Sequence, residues 1–144
     1  MFSTIVVGTD GSETANGAVD LAVALARATG ATLHLVNAYR TTAGAAQMAV
    51  AGAPIPGDDA LGHALGAEAS RQLLDGVASR ASGLDVKTHT LNESPAEAVI
   101  GVAEQVGADL IVVGNKGMER RILGSVPNTI AHKAPCNLLI VKTT

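Results

Sequence analysis

An open parallel α/β sheet is the fold class this sequence predicts, and three observations predict it. Apolar β-branched runs alternate with alanine-rich stretches of helical period along the whole chain, the pattern of strand–helix–strand units with helices on both faces of a sheet. Two of those runs end almost alike: IVVGTDGS at Ile5–Ser12 and IVVGNKGM at Ile111–Met118. Apolar residues make up 47% of the 144 and aromatic residues 1%, so the core is aliphatic, and the length suits one domain over 1–144.

The elements follow in order. Thr4–Gly8 is the first strand. Ser12 is placed to cap the helix after it, in which Ala15, Ala18, Val19, Ala22, Val23 and Ala26 recur at helical spacing before Gly30 stops it. Thr32–Ala38 is the second strand. Residues 39–59, rich in Ala, Gly and Pro and without a period, read as a long loop of the kind that is functional or mobile. A helix over Ala60–Ala81 should turn Leu61, Leu65, Leu73, Leu74 and Val77 inward. Val86–Leu91 alternates polar and apolar residues, which suits an edge strand. Ser94-Pro95-Ala96-Glu97 spells a capping box with proline at the first helical position, and its helix runs to Gly107. Leu110–Gly114 is wholly apolar and so central. Gly124-Ser125 opens a last, serine-capped helix that Ala134-Pro135 ends, and Leu138–Val141 is the final strand, an apolar run expected at the sheet edge.

In a sheet of order 3-2-1-4-5 the two similar strand-ends lie side by side at the point where the winding reverses, which is where open parallel sheets bind ligands. Both turns need glycine so that backbone bends tightly and a ligand comes close. Helix N-termini beside them offer N–H groups to an anion. The second copy continues as GNKGMERRILGSVPN, Gly114–Asn128, with Lys116, Arg120 and Arg121 between the glycine turns and Gly124-Ser125 at a helix start. That is a candidate phosphate cradle. It is neither the P-loop nor the G-x-G-x-x-G fingerprint.

Other chemistries lack their residues. A receiver domain needs a phospho-acceptor aspartate after the third strand, where this chain has Leu91-Asn92-Glu93. The G-x-S-x-G elbow and a D-x-D start are absent. His34, His63, His89 and His132 show no metal-ligand spacing, so no metal site is expected, and the histidines on strands read as structural. Cys136 has no base near it in sequence, and no catalytic residue is assigned. The net charge of −3 argues against broad nucleic-acid binding. No run approaches a membrane span, the N-terminus lacks the layout of a signal peptide, and a single cysteine suits a reducing cytoplasm.

VVGTDGS at the first strand, ADLIVVGNKG at the fourth and LGSVPNTIAHKAPCNLLIVK to the end resemble the universal stress proteins over the full length except the loop after Ala38. The resemblance implies the doubly wound sheet and, in some members, ATP bound through G-x2-G-x9-G-[ST]. Here six residues, not nine, separate Gly117 from Gly124, which shortens the loop by up to about 10 Å of contour. Arg120 and Arg121 sit inside it. By position, Gly8 and Thr9 would line one wall and Asp10 would face the ribose or adenine side. The Ala38 backbone would read the adenine edge. Gly114, Asn115, Gly117, Gly124 and Ser125 would hold ribose and phosphates, with Lys116 near the anion, and Val126 and Pro127 would continue the phosphate turn. The resemblance also implies a homodimer through Leu138, Leu139, Ile140 and Val141. The expected function is a module for stress response or signalling that binds an adenine nucleotide, ATP or cyclic AMP, with Mg²⁺ as a candidate companion and slow or no hydrolysis. The alternative is a nucleotide-independent dimeric interaction protein whose crevice the short loop closes.

Overall fold

The computed structural model describes residues 1–40, 58–115 and 123–142, without the side chains of 58–63. Five parallel strands form one sheet in the order β3-β2-β1-β4-β5. They are β1 (Thr4–Gly8), β2 (Thr32–Tyr39), β3 (Val86–Asn92), β4 (Leu110–Gly114) and β5 (Asn137–Val141). The helices are α1 (Glu13–Thr29), α2 (Asp58–Ala78), α3 (Pro95–Val106) and α4 (Ser125–Lys133). A 3₁₀ turn, Ser79–Ala81, ends the segment that the periodicity assigns to one longer helix.

The strands are buried because both faces are covered. Ile5, Val7, Leu33, Leu35 and Val112 pack with α1 and the C-terminal half of α2. Val6, Val36, Ile111 and Val113 pack with α3 and with Ile130 of α4. Side chains alternate across a strand, so each face takes every second residue, and continuous apolar runs result. All six inward positions expected of α1 are buried, and the Ser12 hydroxyl accepts the Ala15 N–H at 3.2 Å. The sheet's lower rim is pinned by Asp109, whose carboxylate accepts from the Ser3 N–H and hydroxyl and from the Thr4 N–H at 2.8, 2.9 and 3.2 Å. Those bonds hold its carboxyl below the usual range, against the opposing effect of desolvation.

Three expectations need correction. Leu65 is 63% exposed rather than inward. The inward face of α2 runs through Gly66, Ser70, Leu74 and Val77, with Gly66 against the Tyr39 ring, and Leu65 lies about half a turn from Leu74, on the outward face. Ser94 is the N-cap of α3 with Pro95 after it, but its side chain makes no capping bond, so the box in the sequence does not close. The N-cap of α4 is Gly124, with Ser125 the first helical residue and no side-chain cap. The expected long loop, apart from its ends, lies outside the described residues, as do Lys116, Gly117, Arg120 and Arg121.

Candidate functional site

At the carboxyl ends of β1 and β4 the sheet opens into a crevice of about 310 Å³, within the size range of small-molecule sites. One wall is Gly8, Thr9 and Asp10, continuing to Ser12, Thr14 and Ala15 of α1. The opposite wall is Gly114 with Gly124, Ser125, Val126 and Pro127. The ends of β2 and α3 complete it through Val36, Asn37, Ala38, Pro95 and Val99. The wall is mostly apolar, and Asp10 is the single ionisable side chain among the described lining residues.

The first wall combines short-range bonds in its turn with bonds from Thr9 to β2. Gly11 has φ 79°, which glycine adopts without strain. Its N–H donates to Thr9 Oγ1 at 3.0 Å, and the Ser12 N–H donates to Asp10 Oδ1 at 2.9 Å. The Thr9 peptide is held from both sides: its N–H donates to the Val36 carbonyl at 2.9 Å, and its carbonyl accepts from Asn37 Nδ2 at 2.7 Å. Side chains are excluded at both strand ends. A Cβ on Gly8 would lie 2.8 Å from Val99 Cγ2, and one on Gly114 would lie 3.0 Å from the Thr14 carbonyl oxygen.

The second wall depends on one buried side chain. Asn115 is fully buried, and its Oδ1 accepts the Gly124 N–H at 2.9 Å. It therefore sits behind the crevice and fixes the start of α4. Its Nδ2 is buried with no hydrogen-bond partner among the described residues, an arrangement that costs about 1–3 kcal/mol unless a ligand or another group supplies an acceptor. The N–H groups of Ser125 and Val126 have no intrahelical acceptor, and the first turn of α4 carries no acid. Two unspent backbone donors, a serine hydroxyl and a helix N-terminus free of negative side chains suit an anion.

Nine of the fourteen residues assigned to ligand contact from the sequence line the crevice: Gly8, Thr9, Asp10, Ala38, Gly114, Gly124, Ser125, Val126 and Pro127. Asn115 stands behind it, and Lys116, Gly117, Arg120 and Arg121 are outside the described residues. Sequence reasoning missed Asn37, Thr14, Pro95 and Val99 at the crevice wall. Asn37 carried a signal, a lone amide in an otherwise apolar strand-end; Val99 carried none, being one valine on a buried helix face. Outside the crevice, His34 Nδ1 and His89 Nε2 lie 2.9 Å apart across β2 and β3, close enough for one ring to donate to the other. Among the described residues no group of three or more His, Cys, Asp or Glu side chains is placed to hold a metal, and no helix is long and apolar enough to cross a membrane.

The family model described as the universal stress protein family matches residues 1–142. The chain belongs to the universal stress protein family. Like the family's solved members it has the five-stranded 3-2-1-4-5 sheet. A universal stress protein of Mycobacterium tuberculosis is 34% identical over 149 residues, covering 99% of this chain and 98% of the relative. A universal stress protein solved in complex with cyclic AMP is 30% identical, with a TM-score of 0.71 and coverage of 99% of this chain and 98% of that one. The universal stress protein of Archaeoglobus fulgidus, solved in complex with dAMP, shares the fold at 21% identity and a TM-score of 0.63, with coverage of 97% and 98%.

Proposed function

We propose that this universal stress protein domain binds an adenine nucleotide, ATP or cyclic AMP, in the crevice between β1 and β4. The observation that carries the reading is the convergence of Gly8–Asp10 and Gly124–Pro127 on one cavity of about 310 Å³. The complex of a 30% identical relative with cyclic AMP supports it. In this reading the phosphate lies at the uncapped N-terminus of α4, where Ser125 and Val126 donate from backbone and hydroxyl. Ribose hydroxyls face Asp10. The base lies against Val36, Ala38, Pro95 and Val99, with the Ala38 backbone along its edge. Lys116, Gly117, Arg120 and Arg121, outside the described residues, carry the ligand contacts that the sequence assigns to them, with Mg²⁺ as a companion of ATP. The role is binding rather than turnover, since no general base accompanies Asp10 among the described lining residues.

The domain acts, in the same reading, as a cytoplasmic homodimer in stress response or signalling. β5 is an edge strand whose Leu138, Leu139, Ile140 and Val141 are each half-buried, and such an edge pairs or needs cover. Sedimentation of the wild type and of Ile140→Lys tests this: a dimer that the lysine splits supports the edge, and a monomeric wild type overturns it.

Calorimetric titration with Mg-ATP and, separately, with cyclic AMP tests the crevice. Wild type is expected to bind one of them with a dissociation constant at or below about 100 μM. Ser125→Asp is the matched variant. It puts a carboxylate at the first position of α4, where it stabilises the helix and repels a phosphate. Gly114→Val is a poorer probe, because its Cβ meets the Thr14 backbone of α1. A folded wild type that binds neither nucleotide refutes the proposal and leaves the nucleotide-independent interaction protein in its place.

A further inference from the structure

Asn37 is a buried amide whose side chain makes one hydrogen bond to the described residues. It is 7% exposed. It continues the side of β2 that carries Leu33 and Leu35, so it extends the core rather than the surface. It also lines the crevice. Its Nδ2 donates to the Thr9 carbonyl at 2.7 Å. A carbonyl only accepts, so this bond settles which way the amide is turned: the nitrogen faces Thr9 and the oxygen faces away from it. The described residues give Oδ1 no hydrogen bond, and it is not among their buried unpaired atoms, so it is open to the crevice that Asn37 lines. Thr9 is in turn tied to β2 by its N–H bond to the Val36 carbonyl, so the residue that carries the acceptor of Asn37 is held in place. The result is a rigid acceptor at the end of β2, in a wall otherwise mostly apolar.

We propose that Asn37 is a specificity-determining residue: its Oδ1 accepts a neutral donor of the bound ligand, so the crevice selects nucleotides that carry an N–H or O–H at that point. The proposal rests on the adenine-nucleotide reading above. Two groups of such a ligand have the required chemistry, the exocyclic amine of the base and a ribose hydroxyl. An oxygen of the base in the amine's place would set acceptor against acceptor, and a missing hydroxyl would leave Oδ1 desolvated and unpaired. A fixed acceptor that a ligand desolvates without supplying a donor discriminates by about tenfold or more.

The test is a ligand series on two proteins. ATP, inosine triphosphate, 2′-deoxy-ATP and 3′-deoxy-ATP are titrated into wild type and into Asn37→Leu, with the thermal midpoint of each recorded. Wild type is expected to bind at least one analogue about tenfold more weakly than ATP, and Asn37→Leu to lose most of that ratio. Loss at inosine triphosphate assigns Oδ1 to the base amine; loss at a deoxy form assigns it to the ribose. If Asn37→Leu weakens every ligand by the same factor, Asn37 only positions Thr9 and the proposal fails. It also fails if wild type binds all four alike. Asn37→Asp keeps an acceptor but cannot donate to Thr9, so it should keep the ratio while changing the affinity; a lost ratio there overturns the assignment even if the leucine variant does not fold. A wild type that binds none of the four overturns the nucleotide reading and this one together, which separates that failure from the failure of Asn37 alone.

Discussion

The carboxyl ends of β1 and β4 share the letters IVVG and a glycine three residues on, and they make opposite walls. After β1 the chain needs four residues to reach α1, and its own side chains occupy the turn: Thr9 takes the Gly11 N–H, Asp10 takes the Ser12 N–H, and Ser12 caps the helix. Asp10 and Glu13 leave that end negative. After β4 the next described helix starts ten residues later. Asn115 reaches across to Gly124, the helix has no side-chain cap, and no acid stands in its first turn. Similar strand-ends therefore differ by what the following residues spend. One turn satisfies its own donors; the other leaves the Ser125 and Val126 N–H groups without an acceptor in their helix.

Moving one negative charge between the walls is the sharpest way to break this comparison. Ser125→Asp is expected to weaken nucleotide binding about a hundredfold, since like charges in contact cost several kcal/mol. Ser12→Asp, an equally good N-cap, is expected to weaken it by less than about threefold, because that wall already carries carboxylates and the phosphate lies opposite. Equal losses by calorimetry would show that the phosphate does not distinguish the walls.

The next effect is on stability. Asn115→Ala strips the buried acceptor from the Gly124 N–H and is expected to cost about 2 kcal/mol in urea unfolding. Ser12→Ala removes a cap of the same formal kind at the other wall and is expected to cost about 1 kcal/mol. The difference measures how much more the second wall depends on its one buried side-chain bond than the first on its exposed cap, and a larger cost for Ser12→Ala would reverse the reading.

The smallest effect lies away from both walls and serves as a control. Burial, before any neighbouring charge, pushes the imidazoles of His34 and His89 below their ordinary value, with Lys87 adding to it for both and the His89 ring for His34, while Asp85 opposes it for His34. The unfolded chain then binds protons that the folded chain resists, so stability is full above about pH 6.5 and declines as pH falls from there toward the lowered folded values. The decline starts gently, because a singly protonated pair keeps its hydrogen bond, imidazolium to imidazole. His89→Gln should flatten the slope of unfolding free energy against pH between 7 and 5. A slope that persists in this variant would place the titrating group elsewhere.

Much of the fold was legible because its signals are local. The six buried positions of α1 and the bounds of β1 and β4 follow from periodicity and flanking glycines. The edge position of β3 shows in its alternating polarity. Local signals also misled. The SPAE box marks the start of α3 correctly, yet its serine makes no capping bond. Leu65 is apolar but lies about half a turn from Leu74, on the outward face of α2. For the site, the motif-bearing residues were legible and the wall facing them was not, because Pro95 and Val99 enter the crevice only once α3 crosses the sheet.

The sequence by itself determined the five strands, the four described helices, the parallel alternation, the aliphatic core and the family. Each of these depends on neighbours within a few turns, where side-chain period and backbone preference decide. Tertiary structure alone decided which polar atoms are spent and which remain. Asn37 meets Thr9 across 28 residues, Asn115 meets Gly124 across 9, and His34 meets His89 across 55. Such pairs depend on register and crossing angle between elements, which no local pattern encodes, and they set the chemistry of the crevice.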